Sequence, residues 1–434
     1  MPVSPAALSA KSKFLILSLL IINFQLLEYV PFSVGPISLT ILLELCLIGV
    51  FLPDLASYLR TRHRRQTVLV MLVIVMTAQV FTGFRPDFAL ARFRLASVSL
   101  LFYVLTIVAF SHDERRGLWV RRLHLILGVG TIFLFFFQNS LVSLGDSFNL
   151  SVRLGGNFPP AYLAMLLPIC WERLRHERGV FRWLNLLTIV GAFGVEVLSA
   201  SRSGFICLAA ALLFTTIWLS SGKARLAALT LIVAAAVVAA FVDVQSLGGS
   251  ALIERVSSMR SPELAAVGRT ELAEAAVLFI SRHPWYGGDF RAEVFPYLLE
   301  VAPDSRISVA ITDGFWDTQS GPHNGYLNVM AEHGIPVGVL FIAYFIWLFR
   351  DLFRAARTVV NRENRALLRA ACVSLVVFGI FMLSDHSYWA SNYFTLAAIL
   401  ECYLSLCVRD LAWAQRQAVA RLPTNPRAAL DELR

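Results

Sequence analysis

Charged residues are scarce in this chain: Asp, Glu, Lys and Arg make up 15% of it, against 57% hydrophobic residues. That balance excludes an ordinary soluble domain and a disordered chain alike. Cysteine is also sparse. The six, Cys46, Cys170, Cys207, Cys372, Cys402 and Cys407, all lie in or beside apolar runs, with no CxxC pair and no CxxH spacing. Neither a disulfide framework nor a zinc site is expected from them. The loops on the side opposite the basic ones lack a DxD-like acidic pair, and no basic-side loop is long enough for a nucleotide-binding domain. The two halves show no duplication, which counts against an inverted-repeat transporter.

What the chain has is long apolar runs. Candidate spans fall at about Phe14–Val30, Ile37–Leu55, Thr67–Thr82, Leu95–Phe110, Leu123–Gln138, Pro159–Trp171, Trp183–Leu198, Phe205–Ser220, Leu226–Val242, Tyr326–Phe349, Leu367–Leu383 and Tyr393–Val408. Each is long enough, or nearly so, to cross the hydrocarbon core of a bilayer. The expected fold is therefore an all-α integral membrane protein of about twelve transmembrane helices with one large loop, periplasmic on the resemblance given below, containing an amphipathic helix. The corresponding organisation is 1–242 for helices one to nine, 243–325 for the loop subdomain, 326–409 for helices ten to twelve, and 410–434 for a cytoplasmic tail. Lys11 and Lys13 ahead of the first run read as the flank of a membrane anchor, since no small-residue cleavage site follows.

The formal charge of +9 would fit a nucleic-acid binder, but Arg and Lys sit at the ends of apolar runs in alternate loops, as in Arg60–Arg65, Arg121–Arg122 and Arg350–Arg369. The positive-inside rule then puts both termini in the cytoplasm and the loop of 243–325 outside. No nucleic-acid partner is expected. Arginines on the outer side break that rule. Arg85, Arg92, Arg94, Arg153 and Arg202 lie in short outer loops close to apolar sequence. There they suit an anionic group at headgroup level, because a guanidinium donates paired hydrogen bonds to phosphate, although lipid phosphates alone would also hold them.

Within the long loop, Pro262–His283 has apolar residues at helical spacing and stops at His283-Pro284. An irregular acidic and aromatic section runs from WYGGDF through Trp316, and PHNG at 322–325 then stands directly above a helix entrance. Glu44, Glu196 and Glu401 fall inside or at the end of spans, where an unpaired carboxylate is costly. They are the best support for a rival reading, a lipid-linked-glycan transporter or flippase. Glu196 would otherwise pair with an arginine such as Arg202.

Three blocks carry a family resemblance: SRSG at 201–204, GRTELAEAAVLFISRHPWYGGDF from Gly268, and PHNGYLNVMAEHGIPVG from Pro322. Together with the helix count and the position of the long loop, they resemble the O-antigen ligase and polymerase superfamily of bacterial envelope glycosyltransferases, with the ligase branch nearer. The resemblance implies a multi-pass enzyme of the bacterial inner membrane, working on its periplasmic side in lipopolysaccharide biosynthesis. It would move a glycan from undecaprenyl pyrophosphate to a sugar hydroxyl of lipid A-core. An O-antigen or exopolysaccharide polymerase is the alternative within the superfamily. Such a transfer needs charge stabilisation on the leaving pyrophosphate and a base for the acceptor hydroxyl. Arg202 and Arg269 match family positions for the first role and His323 for the second. Arg85, Arg92, Arg94, Arg153, Asn324, Asp385 and His386 are expected to help bind substrate. No cofactor and no metal is expected, and the partners are the lipid-linked glycan, lipid A-core and membrane lipids. His323 would otherwise serve only to cap the entering helix, and His283, Glu332 and His333 are weaker candidates for the base.

Overall fold

A computed structural model describes residues 33–34, 37–38, 71, 75, 120–143, 158–199, 201–219, 222, 269–303, 323–384 and 396–407. The described residues are helical apart from a two-residue antiparallel pair, β1 (Ser33–Val34) with β2 (Ile37–Ser38). The helices are α1 (Leu123–Ser143), α2 (Phe158–His176), α3 (Gly179–Ser199), α4 (Arg202–Leu219), α5 (Arg269–Arg282), α6 (Phe290–Val301), α7 (Gly325–Thr358) and α8 (Arg362–Ser384). A further apolar helix, α9, spans Leu396–Cys407. Three of these are long and apolar enough to cross a membrane, namely α3 over Gly179–Glu196, α7 and α8. The first, fourth and ninth expected spans lie wholly outside the described residues; of the second only Ile37–Ser38 is described, as strand rather than the expected helix, and of the third only Met71 and Val75, both helical.

The bundle is built around α2. Ala161–Leu167, Ile169 and Cys170 are all at most 1% exposed, because α1, α3, α4 and α8 pack around this helix. Lipid-facing positions lie on the helices around it. Val180, Trp183, Leu187 and Val190 make an exposed apolar stripe at helical spacing on α3, and Val339, Ile346 and Phe353 make another on α7.

One end of the bundle is tied by a polar network. Arg121, just before α1, donates to Glu363 (3.2 Å) and Asn364 (2.8 Å) at the start of α8. Arg122 forks onto Glu177 at 3.2 and 2.8 Å, and Arg173 also reaches Glu177 at 2.8 Å. Burial pushes the Glu177 carboxyl up, but the hydrogen bonds and charges of Arg122 and Arg173 outweigh it and hold the group below the usual carboxylate range. Arg175 donates to the carbonyl of Leu219 at the end of α4 (3.3 Å), and Cys407 at the end of α9 meets the Asn364 carbonyl. A turn of Val359–Asn361 joins α7 to α8 here. This end therefore gathers the N-termini of α1, α3 and α8 with the C-termini of α2, α4, α7 and α9. Its arginines are some of the cations that set the expected topology, and in the fold they are also ion-paired.

Deeper in the same half, His124 joins three helices. The Asn185 amide nitrogen is committed to the Phe181 carbonyl (2.7 Å), so its oxygen faces His124 Nε2 at 2.8 Å and can only accept. The other ring nitrogen, Nδ1, lies 2.9 Å from the Tyr403 hydroxyl.

A second, smaller core lies under α5 and α6. Leu272, Ala275, Ala276, Phe279 and Ile280 of α5 pack on Phe290, Val294 and Leu298 of α6 and on Ala331 of α7. The irregular section expected after WYGGDF is thus a helix over Phe290–Val301. Its buried positions recur every four residues, and the internal Pro296 obscures that signal in the sequence.

Candidate functional site

Opposite the polar network, the bundle presents the N-termini of α2, α4, α7 and α9 and the C-termini of α1, α3 and α8. Close contacts across this end agree. A Cβ on Gly204 of α4 would meet the Glu196 carboxylate near the end of α3 and come within 2.8 Å of Pro160 at the start of α2. Tyr326 of α7 donates to the Gly379 carbonyl of α8 at 3.4 Å.

The residues expected at the site from sequence can be followed onto this end. Arg202 is the first residue of α4, next to Ser201, whose buried hydroxyl accepts from the Gly204 amide at 3.0 Å. That bond makes SRSG an N-terminal cap, and the glycine leaves room for Glu196 and Pro160. His323 and Asn324 precede α7. The Asn324 side chain accepts from the amides of Tyr326 (3.0 Å) and Leu327 (3.1 Å), capping the helix. His323 has φ +49°, the one positive value among the described non-glycine residues. Such a backbone costs on the order of 1 kcal/mol for a side chain that is neither Gly nor Asn. Arg269 is the first residue of α5. Arg85, Arg92, Arg94, Arg153, Asp385 and His386 lie outside the described residues.

The fold thus brings Arg202 and the His323–Asn324 pair to one end of the bundle, each at a helix N-terminus, where unpaired amides and the helix dipole favour negative charge. α5, which Arg269 opens, is tied to α7 by a clasp at its other end. α7 is broken at Gly334 (φ +80°, ψ +166°). In an unbroken helix the Ile335 amide would bond to the Ala331 carbonyl. Here Ile335 donates to Pro284 O at 2.8 Å, and Ala331 O accepts from Gly288 N at 2.9 Å. Both groups freed by the break are satisfied by the turn after α5. A Cβ on Gly334 would sit 2.5 Å from the Trp285 carbonyl oxygen, and one on Gly287 (φ +62°) would collide with the backbone of Ala331–His333. The C-terminal ends of α5 and of the first segment of α7 are therefore locked together, and Arg269 and His323 both sit at the far ends of these segments.

This clasp is the feature that reasoning from sequence missed. Its signal is the pair of blocks HPWYGG and AEHGIPVG, whose glycines interlock. The weaker candidates belong to it or to the small core. Glu332 and His333 are buried at the break, while His283 is hydrogen-bonded to the Tyr297 hydroxyl (3.0 Å) and lies against Phe279. Of the loop aromatics, Phe290 is core, whereas Trp285 and Tyr286 are 68% and 50% exposed. Phe315 and Trp316 lie outside the described residues. Among the intramembrane acids, Glu401 accepts from Tyr344 at 3.0 Å, and Glu44 is outside the described residues. Among the described residues, no group of three His, Cys, Asp or Glu side chains comes together as a metal site would require.

An apolar helical bundle with spanning helices, capped at one end by a small helical unit that shares the N-terminal segment of a broken helix, defines a multi-pass α-helical membrane protein. Within that class, residues 187–342, roughly a third of the chain, match the family model for O-antigen ligase, which supports membership of the O-antigen ligase superfamily. That family points to a glycosyltransferase of the ligase or polymerase type with lipid-linked glycan substrates. No curated protein matches the chain.

Proposed function

We propose that this protein is an O-antigen ligase of the bacterial inner membrane, transferring a glycan from undecaprenyl pyrophosphate to a sugar hydroxyl of lipid A-core on the periplasmic side. The carrying observation is that the family match spans Arg202, Arg269 and His323, while contacts across the bundle bring Arg202 and His323 to the same end. In this reading His323 takes the proton of the acceptor hydroxyl, the oxygen attacks the anomeric carbon, and the bond from that carbon to the pyrophosphate oxygen breaks. Arg202 and Arg269 hold the charge that develops on the departing undecaprenyl pyrophosphate, helped by Arg85, Arg92, Arg94 and Arg153. Asn324, Asp385 and His386 help bind substrate. A single displacement inverts the anomeric centre, and no metal takes part.

The test is transfer by purified protein in detergent with a chelator present, given undecaprenyl-pyrophosphate glycan and lipid A-core. Loss of a general base lowers rates by about 100-fold or more, so His323→Ala is expected to fall at least that far. Arg202→Lys and Arg269→Lys keep the charge but lose the fork, and each is expected to lose on the order of tenfold. Full activity in both lysine variants would sink the clamp. Lengthening of the lipid-linked glycan with lipid A-core ignored would make the protein a polymerase, and neither reaction would leave the transporter reading in front.

A further inference from the structure

At the end of the bundle opposite Arg202 and His323, a cavity of about 470 Å³ opens between α4 and α7, with α8 as its floor. Ile217 and Trp218 of α4 form one wall, Phe353 and Arg357 of α7 the other, and Arg369 and Cys372 of α8 line the floor. It has a polar part and an apolar part. Arg357 and Arg369 are both exposed, and no acidic residue is among the described residues that line the cavity. The network that neutralises Arg121, Arg122 and Arg173 does not reach this pair, because Glu177 and Glu363 are taken up by those three arginines. Arg357 lies 5.6 Å over the Phe353 ring, which orients its guanidinium along the cavity wall. Phe353, on the cavity wall, also continues the exposed apolar stripe of Val339 and Ile346.

We propose that this cavity is a binding site for an anionic phospholipid. Arg357 and Arg369 hold the headgroup phosphate, Trp218 sits at the level of the ester region, and the acyl chains run down the Val339–Phe353 stripe of α7. Two arginines lining an apolar cleft between helices of the bundle match a phosphodiester that carries hydrocarbon tails. A free phosphate would use the guanidinium groups and leave the apolar walls wet. A zwitterionic lipid would bring an ammonium into a pocket whose described lining offers it no acid. By the alternation of basic loops this end faces the cytoplasmic leaflet, so the lipid would be a resident of that leaflet and distinct from the substrates handled at the other end.

The full chain in detergent, delipidated and titrated with phosphatidylglycerol, phosphatidylcholine or inorganic phosphate, tests this by native mass spectrometry of the retained ligand. The site predicts retained phosphatidylglycerol on the wild type, with binding weakened on the order of tenfold or more in Arg357→Gln/Arg369→Gln. Arg350→Gln/Arg354→Gln removes two charges from the same helix without touching the cavity and is expected to bind as wild type does. Equal loss in both double variants would reduce the effect to general surface charge and overturn the site. Equal retention of phosphatidylcholine, or protection of the complex by inorganic phosphate alone, would overturn the lipid assignment. Glycan transfer at the far end is a separate readout, so failure of the lipid site leaves the glycosyltransferase reading to its own test.

Discussion

His323 and Asn324 are adjacent residues with opposed structural effects. Asn324 satisfies two amides at the start of α7, whereas His323 sits in a backbone conformation that most side chains avoid. A residue kept only to cap the helix would not need that strain, and strained backbone persists where the surroundings impose it, commonly at functional sites. The contrast can be measured in detergent by thermal unfolding. Asn324→Ala is expected to lower stability by about 1 kcal/mol, while Asn324→Asp retains the cap. His323→Gly is expected to leave stability equal or raise it by up to about 1 kcal/mol while abolishing transfer. If His323→Gly destabilises and retains transfer, the histidine is structural.

Elements in this protein read well where one force dominates. The apolar runs at Leu123, Pro159, Trp183, Phe205 and Leu367 all emerge as helices within a few residues of their expected limits, because backbone without water must pair with itself and a helix does so locally. The amphipathic stretch after Arg269 emerges for the same reason at one remove, its apolar face closing on α6. Two features were hidden. Pro296 masked α6, and the break in α7 reads in sequence as one continuous run, since nothing local announces that Gly334 will receive a turn from fifty residues earlier in the chain. The clasp predicts a specific sensitivity. Gly334→Ala adds a Cβ against Trp285 O at a φ that disfavours it, and is expected to cost about 1–3 kcal/mol and, on the proposed mechanism, to reduce transfer. Gly194→Ala, where a Cβ meets nothing within 4 Å, is the matched control and is expected to be tolerated. Unfolding midpoints that do not differ between the two would remove the clasp from the argument.

At the scale of the whole molecule, the ion-paired end and the end bearing Arg202, His323 and the α5–α6 unit are opposite faces of one bundle. If the basic end is cytoplasmic, impermeant maleimide added to intact cells should label Tyr286→Cys, which is exposed beside the clasp, and should reach Arg178→Cys only after permeabilisation. Cys170, Cys207, Cys372, Cys402 and Cys407 are buried, so a Cys46→Ser background suffices for the experiment. Labelling of both positions from the same side would refute the topology. The sequence by itself determined the lipid solvent and the alternation of basic loops, because composition and charge act through transfer free energy and need no partner to be read. Only the tertiary structure decided that α2 is a buried pillar, that Arg121, Arg122 and Arg173 are ion-paired, and that two glycine blocks lock α5 onto α7. Those outcomes depend on which surfaces meet across long sequence separations, and hydrophobicity within a run is the same whether it faces lipid or another helix.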